Sequence, residues 1–148
     1  MEKALNLVKE FHETFGISIS EKPELPVGSV RKLQMDLLKE EYKEYLDAEV
    51  SGDILRIADE LADLIYMALG TAIRYGIPMD KVFEAVHKNN MTKLDSDGNP
   101  VVNENGKVIK PEGFEPVDLS WLLEGKEGES NYVDAREDGQ PFMPHVKH

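Results

Sequence analysis

The sequence predicts an all-α protein, an antiparallel helical bundle of about four main helices, with a small β-hairpin and a short helix as a C-terminal extension. Apolar side chains recur at helical spacing in four segments between residues 2 and 94. Short linkers with glycine or proline separate these segments, which favours antiparallel neighbours. The chain has no cysteine, so neither disulfides nor thiolate metal sites organise the fold.

The first two helices are recognised from their apolar stripes and from the residues that interrupt them. The first is expected over about residues 2–15, with Gly16 as its stop. A linker over residues 17–28 follows. The second helix is expected to run from about Ser29, a candidate N-cap, to Val50.

The third and fourth helices have clear start and stop signals. Asp53 can cap the third helix, which is expected to run to about Tyr75. Gly76 follows at the position where a left-handed glycine commonly ends a helix. The fourth helix should begin near residues 78–80 and fade over residues 90–94.

The composition changes after residue 94 and indicates an extension of the helical part. Apolar pairs at 101–102 and 108–109 flank Asn105-Gly106, which is typical of a β-hairpin. Residues 118–123 should form one short helix. We therefore expect a single domain with three parts: a helical part with the candidate site over 1–94, the extension over 95–124 and a polar tail over 125–148.

The charge balance restricts the possible partners. A formal net charge of -12 argues against binding a nucleic-acid backbone, which requires lysine and arginine. No apolar run reaches membrane-spanning length, and the N-terminus lacks the apolar core of a signal peptide. The expectation is a soluble, cytoplasmic protein that binds neither nucleic acid nor membrane.

Acidic residues continue an apolar stripe on the second helix. Val30, Leu33 and Leu37 lie three and four residues apart, and Glu41 and Glu44 extend the same face. Carboxylates in such positions are rare unless they are paired or bound to something. The acidic continuation of this apolar face therefore indicates a binding site.

The third helix carries a matching acidic pair. Asp63 is the one charged residue in the apolar run over 61–73, so it is expected to be buried, and Glu60 lies one turn before it. Residues 35–64 contain ten acidic and three basic side chains, too few bases to neutralise the cluster. The alternative interpretation is that these acids are solvated side chains on the helix surfaces, but the apolar pattern of both helices disfavours it. A hard divalent cation, Mg²⁺ or Mn²⁺, would suit an all-oxygen site. The candidate ligands are Glu41, Glu44, Glu60 and Asp63.

These residues resemble the motifs of a known superfamily. Glu40-Glu41-Tyr42-Lys43-Glu44 and Glu60-Leu61-Ala62-Asp63 resemble the E-E-x-x-E and E-x-x-D motifs of the MazG-like, all-α NTP pyrophosphohydrolases. The segment from His87 to Lys93 resembles their H-x-x-N-M-x-K element. The likeness covers about residues 30–94 and looks nearest to the branch related to dimeric dUTPases. The phosphoribosyl-ATP pyrophosphohydrolases, which share the fold, are the less favoured branch.

The resemblance implies Mg²⁺-dependent hydrolysis of a nucleoside triphosphate to the monophosphate and pyrophosphate, with Mn²⁺ as a substitute metal. It implies that Glu41, Glu44, Glu60 and Asp63 bind the metal, and that Glu40 is the catalytic residue that orients or deprotonates the attacking water. Candidate substrates include dUTP and non-canonical dNTPs. A homodimer or homotetramer is expected.

Further residues are candidates for substrate binding, each with an alternative role. Lys93 would neutralise phosphate charge and Asn90 would hydrogen-bond a phosphate, unless they only terminate the fourth helix. Gln34 would read a base edge, or it is a plain surface residue. His12 is a candidate for contacting the base or sugar. His87 is expected to be a packing or capping residue.

Two other classes of function compete with this hypothesis. A carboxylate-bridged redox-metal bundle needs Glu-x-x-His pairs, and neither Glu44 nor Glu60 has a histidine three residues later. A non-catalytic helical module that binds nucleotides or a partner remains open, because a full set of ligands does not establish turnover.

Overall fold

The fold is an all-α helical bundle, as the sequence predicts. The computed structural model describes residues 1–124, so the predicted polar tail over 125–148 lies outside the described residues. The four main helices are α1 (Glu2–Phe15), α2 (Gly28–Ser51), α3 (Ile54–Arg74) and α4 (Met79–Asn90). A short 3-10 helix, Ser120–Leu123, ends the described part of the chain.

A tight turn makes α2 and α3 an antiparallel pair. Gly52 adopts a left-handed conformation with φ 67°, and its N–H donates to the carbonyl of Glu49. Asp53 then caps α3, because its Oδ1 accepts a hydrogen bond of 2.9 Å from the backbone N–H of Leu55. The predicted cap at Asp53 is thus confirmed, and the pairing sets opposite ends of α2 and α3 side by side.

The first helix packs on α3 at a glycine. Val8 and His12 are 1% and 5% exposed, and both contact α3 near Gly70. A Cβ at Gly70 would lie 3.1 Å from His12 Nε2 and 3.7 Å from Val8 Cγ1. The absence of a side chain at this position therefore lets α1 approach α3 closely. In the described part of the chain, the buried apolar residues are Val8, Ala48, Leu69, Ala72 and Val82.

The linker between α1 and α2 is tied to the carboxyl end of α3. The backbone N–H of Ser20 donates to the carbonyl of Ile73, and that of Glu24 donates to the carbonyl of Tyr75. Gly76 follows with φ 66°, and a Cβ built there would overlap the backbone of Lys22. This glycine is therefore required both by its conformation and by the close passage of the linker.

Two expectations about helix starts and burial are wrong. Ser29 does not cap α2, because the helix already begins at Gly28 and the carbonyl of Val27 accepts from the N–H groups of Val30 and Arg31. Asp63 is exposed rather than buried. Among residues 1–124, α1 and α2 are the helices that mainly pack on α3, and apolar side chains of α3 such as Leu61 and Ile65 remain exposed.

The extension is less regular than the sequence suggests. The hairpin around Asn105-Gly106 is reduced to one antiparallel bridge between Val102 and Val108, with a hydrogen bond from Ile109 N to Val101 O. Its arms carry few apolar residues and have no third strand to pair with among residues 1–124, so no extended ladder forms. Within the same residues, no helix is both long and apolar enough to cross a membrane. The cytoplasmic location stays a prediction.

Replacing Gly76 with alanine should destabilise the fold more than the same change at Gly52. Both glycines are left-handed, so each substitution should cost about 1–2 kcal/mol in backbone strain. At Gly52 the added methyl meets no atom within 4 Å, whereas at Gly76 it must displace the backbone of Lys22. Urea unfolding of the two variants tests this, and equal losses would show that the linker does not pass Gly76 closely.

Candidate metal centre

Three carboxylates from α2 and α3 converge at one level of the helix pair. One oxygen from each of Glu41, Glu60 and Asp63 lies within 4.8 Å of the others. Glu41 and Glu60 are half-buried and Asp63 is exposed, so the cluster opens to solvent on the Asp63 side. These are three of the four residues that the sequence proposes as metal ligands.

The crowding of negative charge changes the acidity of the cluster. Burial is the first cause that raises the pKa of Glu41, and the charges of Asp63, Glu44, Glu40 and Glu60 raise it further. The repulsion therefore includes residues from both helices, and it disfavours the ionised form of Glu41.

Glu60 responds in the same way from the other helix. Burial raises the pKa of Glu60, followed by the charges of Glu44, Asp59 and Asp63, while the charge of Arg56 partly offsets them. Glu60 and Glu41 thus both carry raised pKa values, and both are affected by the charges of Glu44 and Asp63.

Within residues 1–124, no basic side chain forms an ion pair with this cluster. Among residues 1–124 the one ion pair joins Lys32 Nζ and Asp36 Oδ2 at 2.6 Å, and both partners lie in the first half of α2. Carboxylate oxygens without a cationic partner are the donors that a hard divalent cation takes. The residues present therefore fit a divalent metal.

Glu44 and Glu40 lie beside the cluster rather than in it. Glu44 is exposed and is not one of the three mutually close residues, but its charge acts on both Glu41 and Glu60. Glu40 is exposed, and its charge acts on Glu41. The predicted ligand Glu44 and the predicted catalytic residue Glu40 are therefore neighbours of the site.

Gln34 is buried, so its interpretation as a plain surface residue is wrong. It is 3% exposed, and both ends of its amide are used within the chain. Its Nε2 donates to Thr71 Oγ1 at 2.9 Å, and its Oε1 accepts from Arg74 Nη1 at 2.9 Å. Arg74 Nε also donates to Ser18 Oγ at 3.1 Å. Thr71 and Arg74 carry no local sequence signal for this network.

His12 lies in the same buried region. Its Nδ1 has no hydrogen-bond partner among the described residues. Burial lowers the pKa of His12, a backbone hydrogen bond at Ser18 opposes that effect, and the charge of Arg74 lowers it further. The net effect lowers the pKa of His12, so the position of the ring between α1 and α3 disfavours its charged form.

The predicted phosphate-binding residues lie at the end of α4. Asn90 is exposed, and Lys93 is half-buried with its Nζ 5.6 Å from the centroid of the Phe114 ring. His87 is exposed, so it is not packed against the rest of residues 1–124. No sequence signal predicted that Phe114 would lie near Lys93, because the two residues are 21 positions apart in the chain.

The metal-free protein should be stabilised by Glu41→Gln at neutral pH. Since the pKa of Glu41 is raised in the folded state, its contribution to stability is complete below the unfolded pKa of about 4.3 and is lost as pH rises through the folded value. We therefore expect the variant to have a Tm about 2–4 °C higher near neutrality and no advantage at acidic pH.

Thermal unfolding in EDTA across this pH range provides the measurement. Asp47→Asn is the matched control, because Asp47 is an exposed acid of α2 outside the cluster. A Tm for Glu41→Gln that stays at or below that of the wild type would contradict the repulsion.

Comparison with known proteins identifies related sequences. A model of the phosphoribosyl-ATP pyrophosphohydrolase family matches residues 8–90, which include α2, α3, α4, the second half of α1 and all of the candidate metal ligands. An uncharacterized protein of Acanthamoeba polyphaga mimivirus is 31% identical over 120 residues, which cover 74% of this chain and 43% of that relative. The chain thus spans less than half the length of this relative.

The family match supports the all-α pyrophosphohydrolase superfamily that the motifs indicate. The match is to the phosphoribosyl-ATP pyrophosphohydrolases, the branch that the sequence motifs favoured less. The branch related to dimeric dUTPases is not confirmed. Since the matched residues make up more than half of the sequence, the chain belongs to the phosphoribosyl-ATP pyrophosphohydrolase family.

Proposed function

We propose that the chain hydrolyses a nucleoside triphosphate or a related nucleotide to the monophosphate form and pyrophosphate, with Mg²⁺ at the carboxylate cluster. The observation that carries this proposal is the approach of Glu41, Glu60 and Asp63 within 4.8 Å, with no ion pair to a base from the described residues 1–124. The family match adds the class of reaction, because the family is named for release of pyrophosphate from a nucleotide.

The residues of the cluster would have separate roles. Glu41, Glu60 and Asp63 would hold the metal, and Glu44 would complete the set from the next turn of α2. When bound, a divalent metal lowers the pKa of a water and offsets negative charge on phosphate oxygens. Glu40, beside the cluster on α2, would accept the proton of the attacking water.

The substrate side of the proposal concerns four further residues. Lys93 and Asn90 would bind phosphate oxygens from the end of α4. Gln34 could contact a base only after losing its bonds to Thr71 and Arg74, so we assign it a positioning role. His12 would act beside it by fixing α1 on α3. Phosphoribosyl-ATP, dUTP and non-canonical dNTPs all carry the phosphate chain that this site would cleave.

Pyrophosphate release with Mg²⁺ or Mn²⁺ should depend on the cluster. A screen of the canonical dNTPs and NTPs, damaged dNTPs and phosphoribosyl-ATP would identify the substrate. With that substrate, Glu41→Gln and Asp63→Asn should lower kcat at least ~100-fold, more than the loss of an outer-shell partner usually costs. Glu40→Gln should lower kcat by roughly 10²–10⁴, as expected for loss of a general base.

The control for these variants is Asp47→Asn, which removes one acid of α2 without touching the cluster and should keep full activity. If no nucleotide releases pyrophosphate while nucleotides still raise the Tm, the chain is a nucleotide-binding module instead. If Asp63→Asn retains wild-type kcat, the cluster does not hold the catalytic metal.

We also propose that the protein assembles as a homodimer or homotetramer. The apolar face of α3 is left uncovered, with Ile54 72%, Leu55 78% and Ile65 57% exposed. Soluble monomers rarely expose a contiguous apolar patch of this kind. A second copy of the chain would cover this face.

Light scattering after size-exclusion chromatography tests the assembly. The wild type should have at least twice the monomer mass, and Ile65→Glu should reduce it, because a charge would be buried in the interface. Val102→Glu alters a similarly exposed apolar residue in the hairpin and should leave the mass unchanged. A wild-type monomer would refute the proposed assembly.

A further inference from the structure

A polar network joins three segments of the chain at the carboxyl end of α3. Arg74, the last residue of α3, donates from Nη1 to Gln34 Oε1 at 2.9 Å and from Nε to Ser18 Oγ at 3.1 Å. Gln34 Nε2 in turn donates to Thr71 Oγ1 at 2.9 Å. The network therefore connects α2 and α3 to each other, and it connects α3 to the linker.

The orientation of the Gln34 amide is dictated by its partners. A guanidinium can only donate, so the amide oxygen must face Arg74. The Thr71 hydroxyl donates to the carbonyl of Met67 at 3.0 Å, so it presents lone pairs to the amide nitrogen. Gln34 is 3% exposed, so little water can reach it to replace either partner. A slip of α2 along α3 by one residue, about 1.5 Å, would break both bonds.

Arg74 binds neutral oxygens rather than a carboxylate. Among residues 1–124 it forms no ion pair, although the chain has 29 acidic and 17 basic side chains. Its planar guanidinium instead bridges one oxygen from the linker and one from α2. Within the described residues, the contribution of Arg74 is therefore the geometry of this bridge and not the neutralisation of an acid.

The same faces of α2 and α3 carry the network and the carboxylates. Glu41 follows Gln34 by seven residues, about two turns, and Arg74 follows Asp63 by 11 residues, about three turns. A register fixed by Gln34 and Arg74 is therefore also the register at which Glu41 meets Asp63. Mg²⁺ requires near-ideal octahedral geometry with ligands at about 2.0–2.1 Å, so a slip of ~1.5 Å would misplace the carboxylates.

We infer that Gln34 and Arg74 are positioning residues of the metal centre, because they hold α2 and α3 at the register where Glu41 and Asp63 can bind the same divalent cation. The inference rests on the proposed function, since it concerns the metal of that reaction. It adds Arg74, and it makes the metal the group that the network positions. Neither side chain is a ligand, and Gln34 lies about 10 Å from Glu41 along the axis of α2.

The test is calorimetric titration of Mn²⁺ into the full chain without nucleotide, at a temperature where circular dichroism shows each variant to be folded. Arg74→Met removes both hydrogen bonds of the guanidinium and should weaken Mn²⁺ binding about tenfold, the lower end of what loss of an outer-shell partner costs. Charge alone predicts the opposite sign, because removal of a positive charge should favour a bound cation. Lys9→Met is the charge-matched control, an exposed lysine of α1 outside the network, and it should bind Mn²⁺ at least as tightly as the wild type.

A second set of variants leaves the charge unchanged. Gln34→Leu removes both amide bonds and should also weaken Mn²⁺ binding about tenfold. Thr71→Val removes only the hydroxyl acceptor, so it should weaken binding less, and it replaces Gln34→Leu if that variant does not fold. Val82→Ala truncates a buried side chain of α4 and controls for lost packing, with wild-type affinity expected.

The outcomes separate this inference from the proposed metal site. Mn²⁺ binding that Glu41→Gln abolishes, but that Arg74→Met leaves at or above wild-type affinity, would overturn the inference and leave the metal site in place. Equal weakening by Gln34→Leu and Val82→Ala would overturn it as well, because lost packing would then explain the effect. A wild type that binds no Mn²⁺ at millimolar concentration would instead contradict the metal site, and the inference with it.

Discussion

The mutual repulsion of Glu41, Glu60 and Asp63 is the constraint on which the rest of the structure depends. Burial, and after it the charges of the surrounding carboxylates, raise the pKa of Glu41 and Glu60, and the packing of α2 against α3 holds these like charges within 4.8 Å of one another. The turn at Gly52 and Asp53 closes this helix pair at one end. A divalent cation bound among these carboxylates would relieve their mutual repulsion and would therefore stabilise the packing of α2 against α3.

The other end of the helix pair supplies the rigidity that this arrangement requires. Gln34 lies seven residues before Glu41 on α2, about 10 Å along the axis, and bonds Thr71 and Arg74 of α3. Arg74 continues the network to Ser18 in the linker. This partly buried polar network fixes the register of α2 against α3, and that register brings the carboxylates together.

Local features of the sequence predicted most of the fold, and non-local ones were missed. Helix ends at Gly16, Asp53 and Gly76 depend on neighbouring residues and were predictable. The exposure of Asp63 was not predictable, because the apolar pattern of α3 does not distinguish surface covered within one chain from surface left exposed. The network of Gln34 joins residues 37 and 40 positions apart, which no periodicity shows. The helical spacing of the acids did predict the three clustered carboxylates.

The most direct test of the metal site is anomalous scattering from a crystal of the protein soaked in Mn²⁺, which an all-oxygen Mg²⁺ site accepts. We predict a manganese peak at about 2.0–2.2 Å from carboxylate oxygens of Glu41, Glu60 and Asp63. Crystals of the Glu41→Gln variant should lack this peak. A fully occupied manganese site elsewhere on the chain, with no density between these three residues, would contradict it.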